Sequence, residues 1–242
     1  MCKKIILVTV VVLTLGLVSN AIADLNDDPN LIAHWKFDEE ADDIAVDSSK
    51  NGLNGNLIGD PNRVPGRING AILFDGVDDY VDCGNNPIYN TITKQITVSC
   101  WIKVNLFDPS WQAIITKGDH SWRLSRSNLS DKLHFATSGN VLGKKDWLDG
   151  KTNVNDGNWH HVAGVNNGSN LNLYVDGVLD ASWSTVTGPL KTDNFKVFIG
   201  ANEESKNSRY WNGIIDDVRI YNRGLSEAEI KSLYALSSSK TN

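Results

Sequence analysis

Carboxylates, histidines and arginines are the side chains of this sequence with the chemistry to catalyse, and their spacing limits what they could do. Cleaving a glycosidic bond takes two carboxyl groups, about 5–5.5 Å apart for retention or 6.5–9.5 Å for inversion. The glutamates are Glu39, Glu40, Glu203, Glu204, Glu227 and Glu229. Adjacent Glu39 and Glu40 would point to opposite faces of a strand. Glu203 and Glu204 fall in a polar loop, and Glu227 and Glu229 in a helical stretch. A Ser-His-Asp triad assembles in space rather than in sequence, but no Gly-x-Ser-x-Gly elbow is present. A lyase needs a base and a charge-neutralising group. Arg123, Arg126 and His134 are the nominees, with no lyase motif around them. His160 and His161 sit in an alternating apolar stretch and are expected to pack in the core. No catalytic residue is assigned.

Metal chemistry has a better footing. Asp216 and Asp217 lie between Ile214-Ile215 and Val218, inside an apolar strand pattern where a bare carboxylate is costly to bury. Asp217 and Arg219 share a face and are expected to pair. Asp216 faces the other way, with no partner nearby in sequence. Calcium accepts six to eight oxygens, backbone carbonyls included, so few of its ligands need show in a sequence. Asp75, Asp78 and Asp79 form a second acidic cluster, in which Asp and Gly are expected to serve a turn. Five scattered histidines and few cysteines give no zinc spacing.

The elements that must carry these groups are mostly short β runs between Gly, Asn and Asp. Ile96–Val104 alternates: Ile96, Val98, Cys100, Ile102 and Val104 share one face, and Thr97, Ser99, Trp101 and Lys103 the other. Leu171–Val175 alternates too, and Asp176-Gly177 then predicts a tight hairpin. Trp159–Val165, Phe195–Gly200 and Ile214–Tyr221 complete a spacing that suits a sandwich or jelly roll. Ser226-Glu227-Ala228-Glu229 reads as a capping box opening one helix, with Ile230, Leu233 and Tyr234 as its apolar stripe. Residues 237–242 are a polar tail.

At the other end, Lys3-Lys4, an apolar run from Ile5 to Val18 and a small-residue site ending at Ala23 read as a secretory signal peptide, residues 1–23. Cys2 precedes the apolar run, so it is not placed as a lipoprotein cysteine. Loss of Lys3 and Lys4 takes the formal net charge from −6 to −8. An acidic chain is a poor partner for nucleic acid or anionic membrane. The remaining chain of about 220 residues suits a single sandwich. Cys83 and Cys100 remain on neighbouring predicted strands. Export permits a disulfide between them, and two buried thiols packing as small hydrophobes are the alternative.

Several segments resemble the laminin G-like jelly-roll family of the concanavalin A-like lectin/glucanase superfamily. They are His34–Glu39, Asp47–Gly52, Ala71–Val81, Ile96–Lys103, Trp159–Ala163, Leu173–Gly177, Gly213–Arg223 and Leu225–Ile230. Lys50 stands where the family pattern has Gly. The resemblance implies an all-β fold, a two-sheet antiparallel β-sandwich (jelly roll, concanavalin A-like) with a short C-terminal helix, over residues 24–236. By the same resemblance, Asp216 and Asp38 would hold a structural calcium. The glutamate pattern of the superfamily's glucanases, Glu-x-Asp-x-Glu or Glu-x-Asp-x-x-Glu, is absent.

Sugar rings stack on exposed tryptophans. Trp35, Trp101, Trp159 and Trp211 lie in family-like segments and are expected in the core or along sheet edges. Trp111, Trp122, Trp147 and Trp183 lie outside them. Trp122, between His120 and Arg123, and Trp147, in the polar 144–147 stretch, are the stacking candidates. The resulting expectation is a secreted, extracellular or periplasmic, non-catalytic module that binds a glycan or a cell-surface protein through a rim or a sheet face. A polysaccharide lyase or glycoside hydrolase of the same fold and a structural envelope protein are the alternatives.

Overall fold

The structure, a computed structural model, describes residues 25–40, 43–137, 146–184, 189–205 and 209–238. The predicted signal peptide lies outside them. Sixteen strands are described. The first six are β1 (Leu31–Trp35), β2 (Ile44–Ala45), β3 (Gly55–Ile58), β4 (Asn62–Pro65), β5 (Gly70–Asp75) and β6 (Tyr80–Asp82). Next come β7 (Ile96–Val104), β8 (Ala113–Lys117), β9 (Trp122–Arg126), β10 (Leu133–Thr137) and β11 (Trp147–Asp149). The last are β12 (Trp159–Asn166), β13 (Asn170–Val175), β14 (Val178–Ser184), β15 (Phe198–Ile199) and β16 (Asn212–Tyr221), followed by helix α1 (Glu227–Ser238). Among the described residues no helix is long and apolar enough to cross a membrane.

These strands form two antiparallel sheets of eight. Sheet A runs β14-β13-β12-β7-β16-β5-β4, with β1 also on β16; sheet B runs β11-β10-β9-β8-β15-β6-β3-β2. The core lies between them. The predicted inner face of β7 is all present in it, Ile96, Val98, Cys100, Ile102 and Val104 being buried there with Trp35, Trp122, Phe135 and Trp211. The Asp176-Gly177 hairpin joins β13 to β14 with φ of 52° and 74°, both left-handed as a tight hairpin turn requires. The capping box also forms: Ser226 N–H donates to Glu229 Oε2 at 2.7 Å, and Glu229 N–H to Ser226 Oγ at 3.3 Å. Helix α1 covers the outer face of sheet A, where Ile230 and Leu233 bury against Ala163, Val165, Tyr174 and Tyr221.

Strand β16 changes partner midway. Its first half pairs with β5, from Asn212 to Ile215, and its second half with β1, from Val218 to Tyr221. Asp216 and Asp217 sit at this handover, where the pairing with β7 also shifts register and Asp217 takes φ 49°. A bulge of this kind re-aims side chains, so two acids in an apolar strand each find a different set of partners.

Candidate functional site

Sheet register fixes which side chains of sheet B point outward. Trp147 on β11 pairs with Ala136 on β10, Ala136 with Arg123 on β9, and Arg123 with Thr116 on β8. One row beside it are His134 and Asp149, a directly opposed pair. Outward-facing Arg123, His134, Trp147 and Asp149 meet two loops at this end of the sheet: residues 127–130, following β9, and Trp111, preceding β8. Together they line a pocket of about 610 Å³, within the usual size range for ligand sites.

His134 is the pivot of the pocket. Trp147 stacks on its ring at 5.7 Å between centroids, and Trp111 meets it edge-on at 4.9 Å. Arg123 Nη2 lies 3.3 Å from His134 Nε2. A guanidinium only donates, so Nε2 is the acceptor, and Nδ1 carries the proton toward Asp149 Oδ1 at 2.9 Å. Ser127 Oγ donates to the same carboxylate oxygen at 2.7 Å. Burial lowers the Arg123 pKa against the pull of the nearby Asp119 carboxylate. Trp111 holds a left-handed φ of 62°, a conformation that costs about 1–3 kcal/mol for a non-glycine residue. Its N–H donates to Asn128 O at 3.2 Å, which ties the two loops together. Trp147 keeps 39% of its surface exposed. The site therefore offers an aromatic wall beside fixed donors and acceptors.

Asp216 and Asp38 lie near one another at the handover of β16. Asp216 is fully buried. Its Oδ2 accepts from Ile68 N–H at 2.8 Å, while Oδ1 has no hydrogen-bond partner. Burial pushes the Asp216 carboxyl up to about 8, and the Asp217 and Asp38 charges add to the shift. Asp38 accepts from Gly70 N–H at 3.0 Å and from Asn69 Nδ2 at 3.1 Å. A Cβ on Gly66 would meet Gly70 O at 2.4 Å and Asp216 Oδ2 at 2.7 Å. Backbone and carboxylate oxygens thus crowd one small volume around a buried, orphaned acceptor. This donor set suits a hard cation.

Residues 75–231 match a laminin G-like family model, described as concanavalin A-like lectin/glucanases superfamily. The chain belongs to this family. A relative, the non-toxic nonhemagglutinin of Paraclostridium bifermentans, is 25% identical over 150 residues, covering 59% of this chain and 12% of that protein. The chain thus spans only a small part of the curated relative it matches. Among solved structures, the binding domain of Paraclostridial Mosquitocidal Protein 1 is similar at a TM-score of 0.64 and 19% identity, over 85% of this chain and 52% of that one. Domain 4 of an extracellular arabinanase from Geobacillus stearothermophilus, solved with arabinotriose, also reaches 0.64, at 21% identity, over 85% and 98% of the two chains. These likenesses concern the fold.

The structure of this laminin G-like domain brings together Trp147, Arg123 and His134 and leaves Trp122 out. Trp122 is only 1% exposed and belongs to the core between the sheets. The reason is strand parity: Arg123 faces outward, so its neighbour Trp122 faces inward, and polar flanks on a strand argue for burial of the residue between them. Trp111 and Asp149 were not singled out from the sequence. Trp111 stands in a polar Asp-Pro-Ser-Trp loop, the only local signal it carries. Of the two alternatives for the cysteines, the disulfide is not formed and the buried thiols are: Cys83 and Cys100 are free and buried. Cys83 follows β6 of sheet B, whereas Cys100 lies on β7 of sheet A, so the two strands are not neighbours. Burial raises both thiol pKa values well above the ordinary range, as expected for packed, inert cysteines. His160 and His161 are buried, the first between Asp156 and Asp176, the second against Trp101.

Proposed function

We propose that this domain is a secreted, non-catalytic carbohydrate-binding module whose ligand enters the Trp111–His134–Trp147 pocket. The observation that carries this reading is the half-exposed Trp147 ring, fixed by stacking on a histidine that is itself tethered by Asp149 and Arg123. Aromatic faces take the apolar side of a sugar, and a few placed polar groups orient its hydroxyls. The arabinotriose bound to domain 4 of the arabinanase supports a glycan as the partner class, and the basic, apolar and small-residue order of residues 1–23 supports export.

A structural calcium belongs to the same proposal. Asp216 and Asp38 would hold it, with the backbone oxygen of Gly70 nearby, and the ion would supply positive charge beside the buried Asp216 carboxyl, with Asp38 reaching it from the exposed side. The pocket does not depend on it, since β16 and β11 lie in different sheets.

One observation favours a lyase as the second reading: Arg123 and His134 stand 3.3 Å apart, a charge-neutralising group beside a base. However, Arg123 itself engages Nε2 of His134, and the ring is almost wholly buried. A base must reach the proton it removes, and here both ring nitrogens are engaged by side chains. The test is calorimetry and affinity electrophoresis of wild type and Trp147→Ala on arabinotriose and on a panel of neutral and acidic polysaccharides. Saturable binding to at least one glycan, weakened about tenfold or more in the variant with no product released, is the expected result. Retention that ignores Trp147 would displace the site, and unsaturated product absorbing near the ultraviolet edge would make the domain a lyase.

A further inference from the structure

The outward face of sheet B is not an open groove. Following the same registered row beyond Arg123, Thr116 pairs with Phe198 on β15, and Phe198 with Asp82 on β6. Thr116 and Phe198 therefore point outward like Trp147, yet they are 0% and 2% exposed. Residues on either side of them, Ala201 and Arg209–Tyr210 between β15 and β16 and Tyr80 on β6, lie against this face. Thr116 Oγ1 donates to Ala201 O at 3.0 Å. Ala113 N–H donates to Arg209 O at 2.9 Å. Tyr80 packs on Phe198 at 4.6 Å, and Tyr210 lies 6.3 Å from Tyr80.

The wall is tied directly to the pocket. Asp119 Oδ1 accepts from Arg209 Nη1 at 2.6 Å and from Asn202 Nδ2 at 2.9 Å. Arg123, which lines the pocket, donates from Nη1 to Asp119 O at 2.8 Å. The pocket is thus bounded toward the middle of the sheet by a cross-braced ridge and lies beside the edge strand β11. Its width from β9 to β11 is two interstrand steps, roughly 10 Å, room for about two ring units.

We infer that the pocket recognises the end of a glycan chain rather than an internal stretch, with the Asp119–Asn202–Arg209 ridge stopping the chain. This rests on the carbohydrate-binding reading above. A chain laid across the strands from the Trp147 side meets the ridge before Thr116 and Phe198, which are covered. A terminal unit needs only the Trp147 side.

The experiment is a chain-length series: arabino-, xylo-, cello- and manno-oligosaccharides of two to six units, each measured by calorimetry. Beside it, binding sites per mass are counted on the parent polysaccharides before and after partial endo-cleavage. End recognition predicts affinity that levels off by three units, changing less than twofold from three to six. It also predicts a site count that rises in step with new chain ends. Arg209→Ala, which removes the partly exposed side chain of the ridge, should let the six-unit ligand gain affinity over the three-unit one. Affinity climbing tenfold or more from three to six units in wild type, with sites counted per repeat, would overturn end recognition and leave the binding module standing. Failure of every series to bind, with Trp147→Ala indistinguishable from wild type on the wider panel, would overturn the binding reading and this inference with it.

Discussion

The His34 imidazole lies 2.6 Å from the Asp217 carboxylate across 183 residues of sequence. The contact exists because β1 docks on the second half of β16, placing His34 opposite Arg219. Burial drives His34 toward its neutral form. Burial alone would also raise the Asp217 carboxyl, but Arg219 and His34 hold it well below the usual carboxylate range. The charged pair is therefore Asp217 with Arg219, and His34 is its neutral donor. Asp217→Asn would leave Arg219 buried without a counter-charge. Removing one partner of a buried pair costs about 3–5 kcal/mol, so the melting temperature should fall by roughly 10 °C. A variant that melts with wild type would show that the pair contributes nothing.

His160 gives a pH dependence of definite sign. Asp176 and Asp156 take its two ring nitrogens at 2.8 and 3.1 Å, and the hydrogen bond to Asp176 is the largest cause raising its pKa above the ordinary 6.5. A raised folded-state pKa contributes stability that is complete below pH 6.5 and lost as pH rises through the folded value. His34 and His161 act in the opposite sense. Burial depresses both, His161 to about 4, so they cost stability as pH falls below 6.5. The contribution of His160 must be read as a difference. His160→Gln should melt below wild type at pH 5.5, and the gap should narrow by pH 8.5. A gap that widens with pH would refute the assignment.

Trp111 and Trp122 should separate binding from stability. Truncating the buried Trp122 to Ala should cost about 3–5 kcal/mol, as for other large core residues. Trp111→Gly removes a pocket wall but also releases the left-handed φ of 62°, which glycine adopts freely. Its melting temperature should match or exceed that of wild type while glycan affinity falls about tenfold. Melting curves and calorimetry on the two variants check both halves. A destabilised Trp111→Gly would mean that the ring holds the loops together.

The parts legible in sequence were those governed by local periodicity. Strand β7, the Asp176-Gly177 hairpin, the capping box at Ser226 and the pairing of Asp217 with Arg219 follow from spacing of two to four residues, and each formed. Strands β2, β4 and β11 are short and carry no clean alternation, so the sheet edges, and with them one wall of the pocket, were invisible. The polar flanks of Trp122 suggest an exposed ring, but on a strand they mark the opposite face. Trp111 and Asp149 could not be grouped with His134, since their proximity is a product of sheet B register. The position of Asp216 beside Asp38 was anticipated from family resemblance alone; the partner switch of β16 that creates it leaves no local trace.

The cysteines offer a simple chemical check. With Cys83 and Cys100 on different sheets and both thiols buried, a thiol reagent should label neither in the native state. It should label both in denaturant without prior reduction. Intact mass after alkylation reads the count. Labelling that requires a reductant would reveal a disulfide across the two sheets and overturn the free-thiol assignment.

A calcium held by Asp216 and Asp38 would leave a thermal signature. Burial penalises charge on Asp216, whose Oδ1 is orphaned, and a cation bound between it and the nearby Asp38 would offset that penalty. A ligand that binds only the folded state stabilises it by about 2.7 kcal/mol at a hundred times its dissociation constant, a rise of several degrees for a domain of this size. The domain should therefore melt higher in millimolar calcium than in EDTA. Asp216→Ala should abolish the difference, and Asp38→Ala should reduce it. Asp75→Ala, altering the cluster of exposed Asp75 and Asp78 with buried Asp79, should leave it intact. If Asp75→Ala alone removes the calcium response, the ion binds at the Asp75 turn and Asp216 is merely a buried acid held by Ile68. If wild type melts alike in both buffers and elemental analysis finds no retained calcium, the site holds no such ion.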